Sequence, residues 1–336
     1  MTDAPIPGLT RHFVTIGERQ LHYRRMGSGP PLVMVHRLPR SSADLVSFMQ
    51  DASQHFTVIA PDLAGYGNSW QLFLTSSAGG TKIPTIIDYV DDIDEMLKEI
   101  GIKRTFVYGE HIGAMVALQL AIRDPKRVAG AVLNGLSVTM TEADKNEARA
   151  SYNLPFEPRA DGSHWPWLWA TLREENLFHP SWTKTAATRL EEDMPPPEKL
   201  QARLLQFLAE GRNPFDNARH LSAGRKRTFT TGRLGRGYAM GYLAALDFKA
   251  IPHLANLTVP TLITGTKLFQ KDVALARVAT RSPVVEVKQA ESLTEARAQA
   301  LAFFAPHAGK VPPPPPAPTA KPIPGGLWSD FITIPG

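Results

Sequence analysis

The sequence of 336 residues has no cysteine, which excludes disulfides, zinc–thiolate sites and a thiol nucleophile and fits a reducing compartment. No stretch approaches the ~18 apolar residues of a membrane-spanning helix, and no basic start followed by an apolar run marks a leader. These absences predict a soluble, cytoplasmic protein with no membrane partner. No metal or cofactor is expected either. Charge is only mildly biased, at a formal +5. The basic residues gather at Arg225-Lys226-Arg227, Arg233 and Arg236. A solvated helix end accounts for them, with an anion site as the alternative; without a recognisable binding module, nucleic acid is not an expected partner.

The segment Gly109-Glu110-His111-Ile112-Gly113 carries the most information. It follows a β-prone run, Thr105-Phe106-Val107-Tyr108, and precedes Ala114-Met115-Val116-Ala117-Leu118, a buried helix start. The context is strand, sharp turn, helix, with glycines that let the helix close on the strand. Histidine tolerates positive φ better than most side chains, so the turn can form around it. Three further segments follow the same layout. Pro31-Leu32-Val33-Met34-Val35 runs into His36-Arg37-Leu38-Pro39; Phe56-Thr57-Val58-Ile59-Ala60-Pro61-Asp62 runs into Gly65-Tyr66-Gly67-Asn68-Ser69; and Val259-Pro260-Thr261-Leu262-Ile263-Thr264-Gly265 comes late.

Together these segments resemble the α/β-hydrolase superfamily, with the G-x-S-x-G elbow written G-x-H-x-G. The layout is similar to the capped epoxide hydrolase and haloalkane dehalogenase branch. The resemblance covers roughly residues 10 to 305 and implies an α/β fold: a doubly wound, mostly parallel sheet with a helical cap inserted after the sixth strand. It implies a core in residues 1–138 and 251–308 around a cap in 139–250. The Pro-rich residues 309–324 read as a semi-rigid polyproline linker. Residues 323–336 repeat the pattern of residues 6–17, so the tail 325–336 reads as the opening of a second hydrolase-like copy. A second domain or a homo-oligomer is therefore an expected partner.

What the family pattern needs is missing at each catalytic position. His111 stands where a serine or aspartate nucleophile belongs. The acid loop reads Gly265-Thr266-Lys267-Leu268, and leucine cannot orient a base. Asp272, four residues beyond Leu268, is the candidate acid if the loop folds back; Asn134, after the sixth strand, holds geometry without charge. No histidine lies between Val284 and Leu293, where Glu291 or Ser292 takes the place of the base. His307 lies past the last helix and reads as a surface residue.

The oxyanion loop keeps His36 but has Arg37 in place of glycine. Backbone amides of Leu38 and Ile112 are the expected oxyanion donors. His164, Trp165 and Trp169 in the cap serve equally as a ligand wall or as cap core.

Three readings stay open. In one, His111 acts as nucleophile or general base on a small carbonyl or carboxyl compound, partnered by His36, His164 or Glu110, in hydrolase or lyase chemistry. In another, the domain is catalytically silent and binds a small molecule or a partner. In the third, the triad is ordinary, with Ser69 or Ser137 as nucleophile.

Overall fold

The computed structural model describes residues 6–17, 19–38, 40–69, 74–75, 81–82, 84–152, 166, 170, 178–179, 187–188, 237–280 and 282–318. A hairpin opens the chain, β1 (Thr10–Ile16) pairing antiparallel with β2 (Arg19–Met26). Six more strands complete the sheet: β3 (Pro31–Val35), β4 (Thr57–Pro61), β5 (Thr105–Glu110), β6 (Val128–Asn134), β7 (Thr261–Gly265) and β8 (Val285–Gln289). Their spatial order is β1-β2-β4-β3-β5-β6-β7-β8. β2 joins β4 antiparallel, and every pair from β4 to β8 is parallel.

The central strands are buried along their whole length, so both faces must be covered, and alternation sorts their side chains between them. Val33, Val35, Ile59, Val107, Ala131, Leu133 and Ile263 face one layer. That layer contains α2 (Ile86–Glu99), α3 (Ile112–Arg123) and α6 (Gln270–Ala279). Leu32, Met34, Val58, Ala60, Phe106, Tyr108, Val132 and Leu262 face the other, covered by α1 (Val46–Ala52) and α7 (Leu293–Phe304). Each fully buried leucine, valine or phenylalanine contributes about 1.5–3 kcal/mol. The cluster of Phe56, Phe106 and Phe304 rings anchors the end of the sheet away from the elbow.

α2 begins at Ile86. Thr85 caps it: its Oγ1 accepts from Asp88 N while the Asp88 carboxylate accepts from Thr85 N. This reciprocal cap removes two of the unpaired donors of the first turn.

Within 139–250 the described residues include the helices α4 (Glu142–Tyr152) and α5 (Gly237–Asp247). They also include a two-residue ladder, Phe178–His179 with Ala187–Thr188, which a purely helical reading did not foresee. The tail 325–336 lies outside the described residues. Among the described residues no helix is long and apolar enough to cross a membrane.

Candidate active site at the strand-to-helix elbow

His111 sits between β5 and α3 with φ 54° and ψ −110°. Among the described residues it is the only non-glycine at positive φ. Such a conformation costs on the order of 1–3 kcal/mol and persists only where its surroundings impose it. Here its N–H donates to Asn134 O (2.9 Å) and its carbonyl accepts from Ala114 N (3.0 Å).

The two glycines make the turn sterically possible. A Cβ on Gly109 would fall on the Gly113 carbonyl, and one on Gly113 would fall on the Val35 carbonyl. Close approach of α3 to β5 and to the end of β3 therefore fixes the elbow beside residues 36–38.

The half-buried His111 ring meets Phe269 edge-on, with centroids 4.8 Å apart. Gly135, at φ +67°, follows Asn134, and a Cβ there would approach both the Phe269 ring (3.1 Å) and His111 Cδ2 (3.3 Å). Phe269 closes a 3₁₀ turn, Lys267–Phe269, in the loop where an acid was sought.

Asp272 lies in the first turn of α6, and its carboxylate serves the loop after β6. Oδ1 accepts from Val138 N (2.6 Å), Thr139 N (2.8 Å) and Thr139 Oγ1 (2.9 Å). Glu291 is exposed and forms an ion pair with Lys267 at 3.2 Å. Ser292 caps α7 by accepting from Glu295 N.

His36 is buried and fully engaged. Its Nε2 accepts from Leu63 N (2.9 Å), so Nδ1 carries the proton and donates to Arg37 O (2.9 Å). Burial lowers its pKa, against the opposing pull of Asp62. The ring is thus a neutral brace between the residue 36–38 loop and the start of the Asp62–Ser69 loop. Arg37 pairs with Asp44 through Nε (2.9 Å) and Nη2 (3.4 Å). Leu38 lies beneath α5: a Cβ on Gly241 would meet Leu38 Cδ1 at 2.5 Å, and Gly241 N donates to Tyr66 Oη (3.1 Å). Ile112 opens α3, where N–H groups have no acceptor within the helix.

Glu110 and Asn134 share one buried network. Glu110 Oε1 accepts from Tyr108 Oη (2.6 Å) and Arg297 Nε (2.9 Å), and Asn134 Nδ2 donates to Tyr108 Oη (2.9 Å). The Arg297 guanidinium also lies over the Phe48 ring. Burial, reinforced by Glu110, pushes the Tyr108 pKa well up. Among the described residues Glu110 Oε2 has no hydrogen-bond partner.

The structure therefore brings His111, Ile112, Asn134 and the loop bearing His36, Arg37 and Leu38 to neighbouring strand ends. It turns the Glu110 carboxylate to Arg297 and Asp272 to the Val138–Thr139 backbone. His164, Trp165 and Trp169 lie outside the described residues. Sequence reasoning missed Phe269, Tyr66, Gly241, Tyr108 and Arg297. A signal existed for Arg297, which falls on the apolar stripe Leu293, Ala296, Ala300, Phe304 of α7. Among the described residues no group of three or more histidines and carboxylates is placed to hold a metal.

Residues 30–160 match the family model described as alpha/beta hydrolase fold. An uncharacterized protein of Mycobacterium tuberculosis is 28% identical over 156 residues, 44% of this chain and 43% of that protein. A soluble epoxide hydrolase of Corynebacterium sp. is 32% identical over 113 residues, 34% of this chain and 37% of that protein. The chain thus aligns with less than half the length of these relatives. A crystal structure of a hydrolase from Pseudomonas aeruginosa superposes with a TM-score of 0.62 at 18% identity, covering 89% of this chain and 99% of that one. With the sheet order β1-β2-β4-β3-β5-β6-β7-β8, these likenesses show that the chain has the α/β-hydrolase fold.

Proposed function

We propose that the chain acts on a small carbonyl or carboxyl compound by His111-dependent hydrolase or lyase chemistry, with a triad reduced to its elbow residue. The observation that carries this reading is the strained backbone of His111. A fold that keeps a non-glycine side chain at φ 54° presents that side chain at a cost to stability.

A neutral imidazole is an acceptor and takes a proton from water or from carbon beside a carbonyl. The amides of Leu38 and Ile112 would face the oxygen on which negative charge develops. In this reading Asp272 holds the strand-to-cap junction, and His111 is the reacting group. Turnover of activated esters, lactones and enolisable ketones by wild type, His111→Ala and His111→Gln tests it. Loss of turnover in both variants, with folding retained, is the expected result.

A second reading, a silent domain that binds the same class of molecule, draws on the Lys267–Glu291 ion pair and on Phe269 against the imidazole. It expects thermal stabilisation by ligand without turnover in all three proteins.

A further inference from the structure

Among the described residues the last strand, β8, is an edge of the eight-stranded sheet. Its pairing phase with β7 follows from two bonds, Thr261 N to Val284 O (2.9 Å) and Ala290 N to Gly265 O (3.0 Å). In a parallel ladder of that phase, residues 286 and 288 spend their backbone groups on β7, while residues 285, 287 and 289 turn theirs outward. Arg277 Nη2 donates to the outward Val287 carbonyl at 3.3 Å, from an exposed position.

The outward groups are not all equally available. Val285 N donates to Ser282 O (3.2 Å) and Gln289 O accepts from Gln299 Nε2 (3.1 Å). Val287 N–H and C=O, Val285 C=O and Gln289 N–H form the pairing edge. This set is symmetric about Val287.

We propose that β8 pairs antiparallel with β8 of a second copy of this chain, about a two-fold axis through Val287. In that register Val287 exchanges both of its bonds with Val287 of the second copy, and Gln289 N donates to Val285 O in each direction. Arg277 gives up its bond, an exposed contact that contributes little.

The charge pattern of the strand fits this occupant. Glu286 and Lys288 share the exposed face of the strand, 2.9 Å apart. The two-fold places each opposite the other's counterpart, so charges that repel most foreign strands attract a second copy.

Sedimentation of the full chain tests the proposal at about 100 µM, where an interface of Kd about 10 µM is mostly associated. Wild type should sediment as a dimer. Val287→Pro removes an N–H that β7 does not use, and should give a folded monomer. Glu286→Lys and Lys288→Glu should each weaken the dimer roughly tenfold, and the double exchange should restore it. The charge exchange keeps the test decisive if the proline variant fails to fold. A monomeric wild type overturns the proposal, including the case where a chain ended at Pro318 dimerises and the chain's own last residues therefore occupy the edge. A dimer indifferent to Val287→Pro and to both charge reversals overturns it as well.

Discussion

Arg297 grips Glu110 with both Nε and Nη2 at 2.9 Å, tying the second turn of α7 to the residue that precedes the elbow. The carboxylate is wholly buried and the guanidinium nearly so. Removing one partner of such a pair leaves an uncompensated charge in a medium that solvates it poorly. Arg297→Met should lower unfolding stability by about 3–5 kcal/mol in urea titration. Adding Glu110→Gln should recover most of that loss, because the neutral amide still accepts from Tyr108.

Strain at the elbow predicts an inverse relation between stability and turnover. His111→Gly should stabilise the fold by about 1 kcal/mol, since glycine adopts the same dihedral angles without penalty. The same variant should lose activity. Gly113→Ala, by contrast, should lower stability by about 2 kcal/mol or more, because its methyl group would land on the Val35 carbonyl. Thermal melts of the two variants beside wild type separate the effects.

His36 makes stability depend on pH in one direction. Its folded pKa is below the usual 6.5 because the ring is buried, so the unfolded chain takes up the proton first as pH falls. Its contribution is complete above pH about 6.5 and declines as the solution is acidified. His36→Gln, which can still accept from Leu63 N, should flatten that part of the stability–pH curve while lowering stability at pH 8.

Asp62 should dominate the more acidic range. Burial alone would raise its carboxyl, but His22, Arg24 and His36 together hold it well below the usual carboxylate range. Its oxygens accept from His22 Nδ1 (2.8 Å), Ser42 N (2.7 Å) and Asn68 N (2.8 Å). Stability from this depressed carboxyl is fully present above pH about 4 and is lost as pH drops below it. Asp62→Asn should move the acid-unfolding midpoint upward, read by circular dichroism.

The parts of the fold that were legible in the sequence share one property: their signal is local. Val33, Val58 and Val107 sit in short apolar runs bounded on one side by glycine or proline, and each became a buried strand. The elbow was legible for the same reason, since Gly109, His111 and Gly113 lie within five residues. What stayed hidden depends on contacts between distant elements. Glu110 looked like a pocket residue because it adjoins His111, yet adjacent residues of a strand point to opposite faces. Its carboxylate therefore meets Arg297, far along the chain, on the α7 side. Asp272 looked like a candidate acid from its distance past β7. The helix that it opens aims it at Val138 and Thr139, which no spacing rule encodes. Phe269 gave no signal at all, because an aromatic ring in a loop is indistinguishable from surface until Gly135 brings the neighbouring strand beneath it.

The proline tract leaves α7 through Val311, and every third residue after it, Pro314 and then Ala317, is partly covered by the body. Three residues per turn is the period of polyproline II, which advances about 3.1 Å per residue. The tract passes Gly101, in the turn before β5, with Pro315 3.0 Å from where a Cβ would stand. It therefore runs at the far end of the strands from His111. A tension applied at Pro318 would enter the molecule through Val311 and the phenylalanine cluster. A tether, label or solid support attached there would leave the approach to the elbow unobstructed.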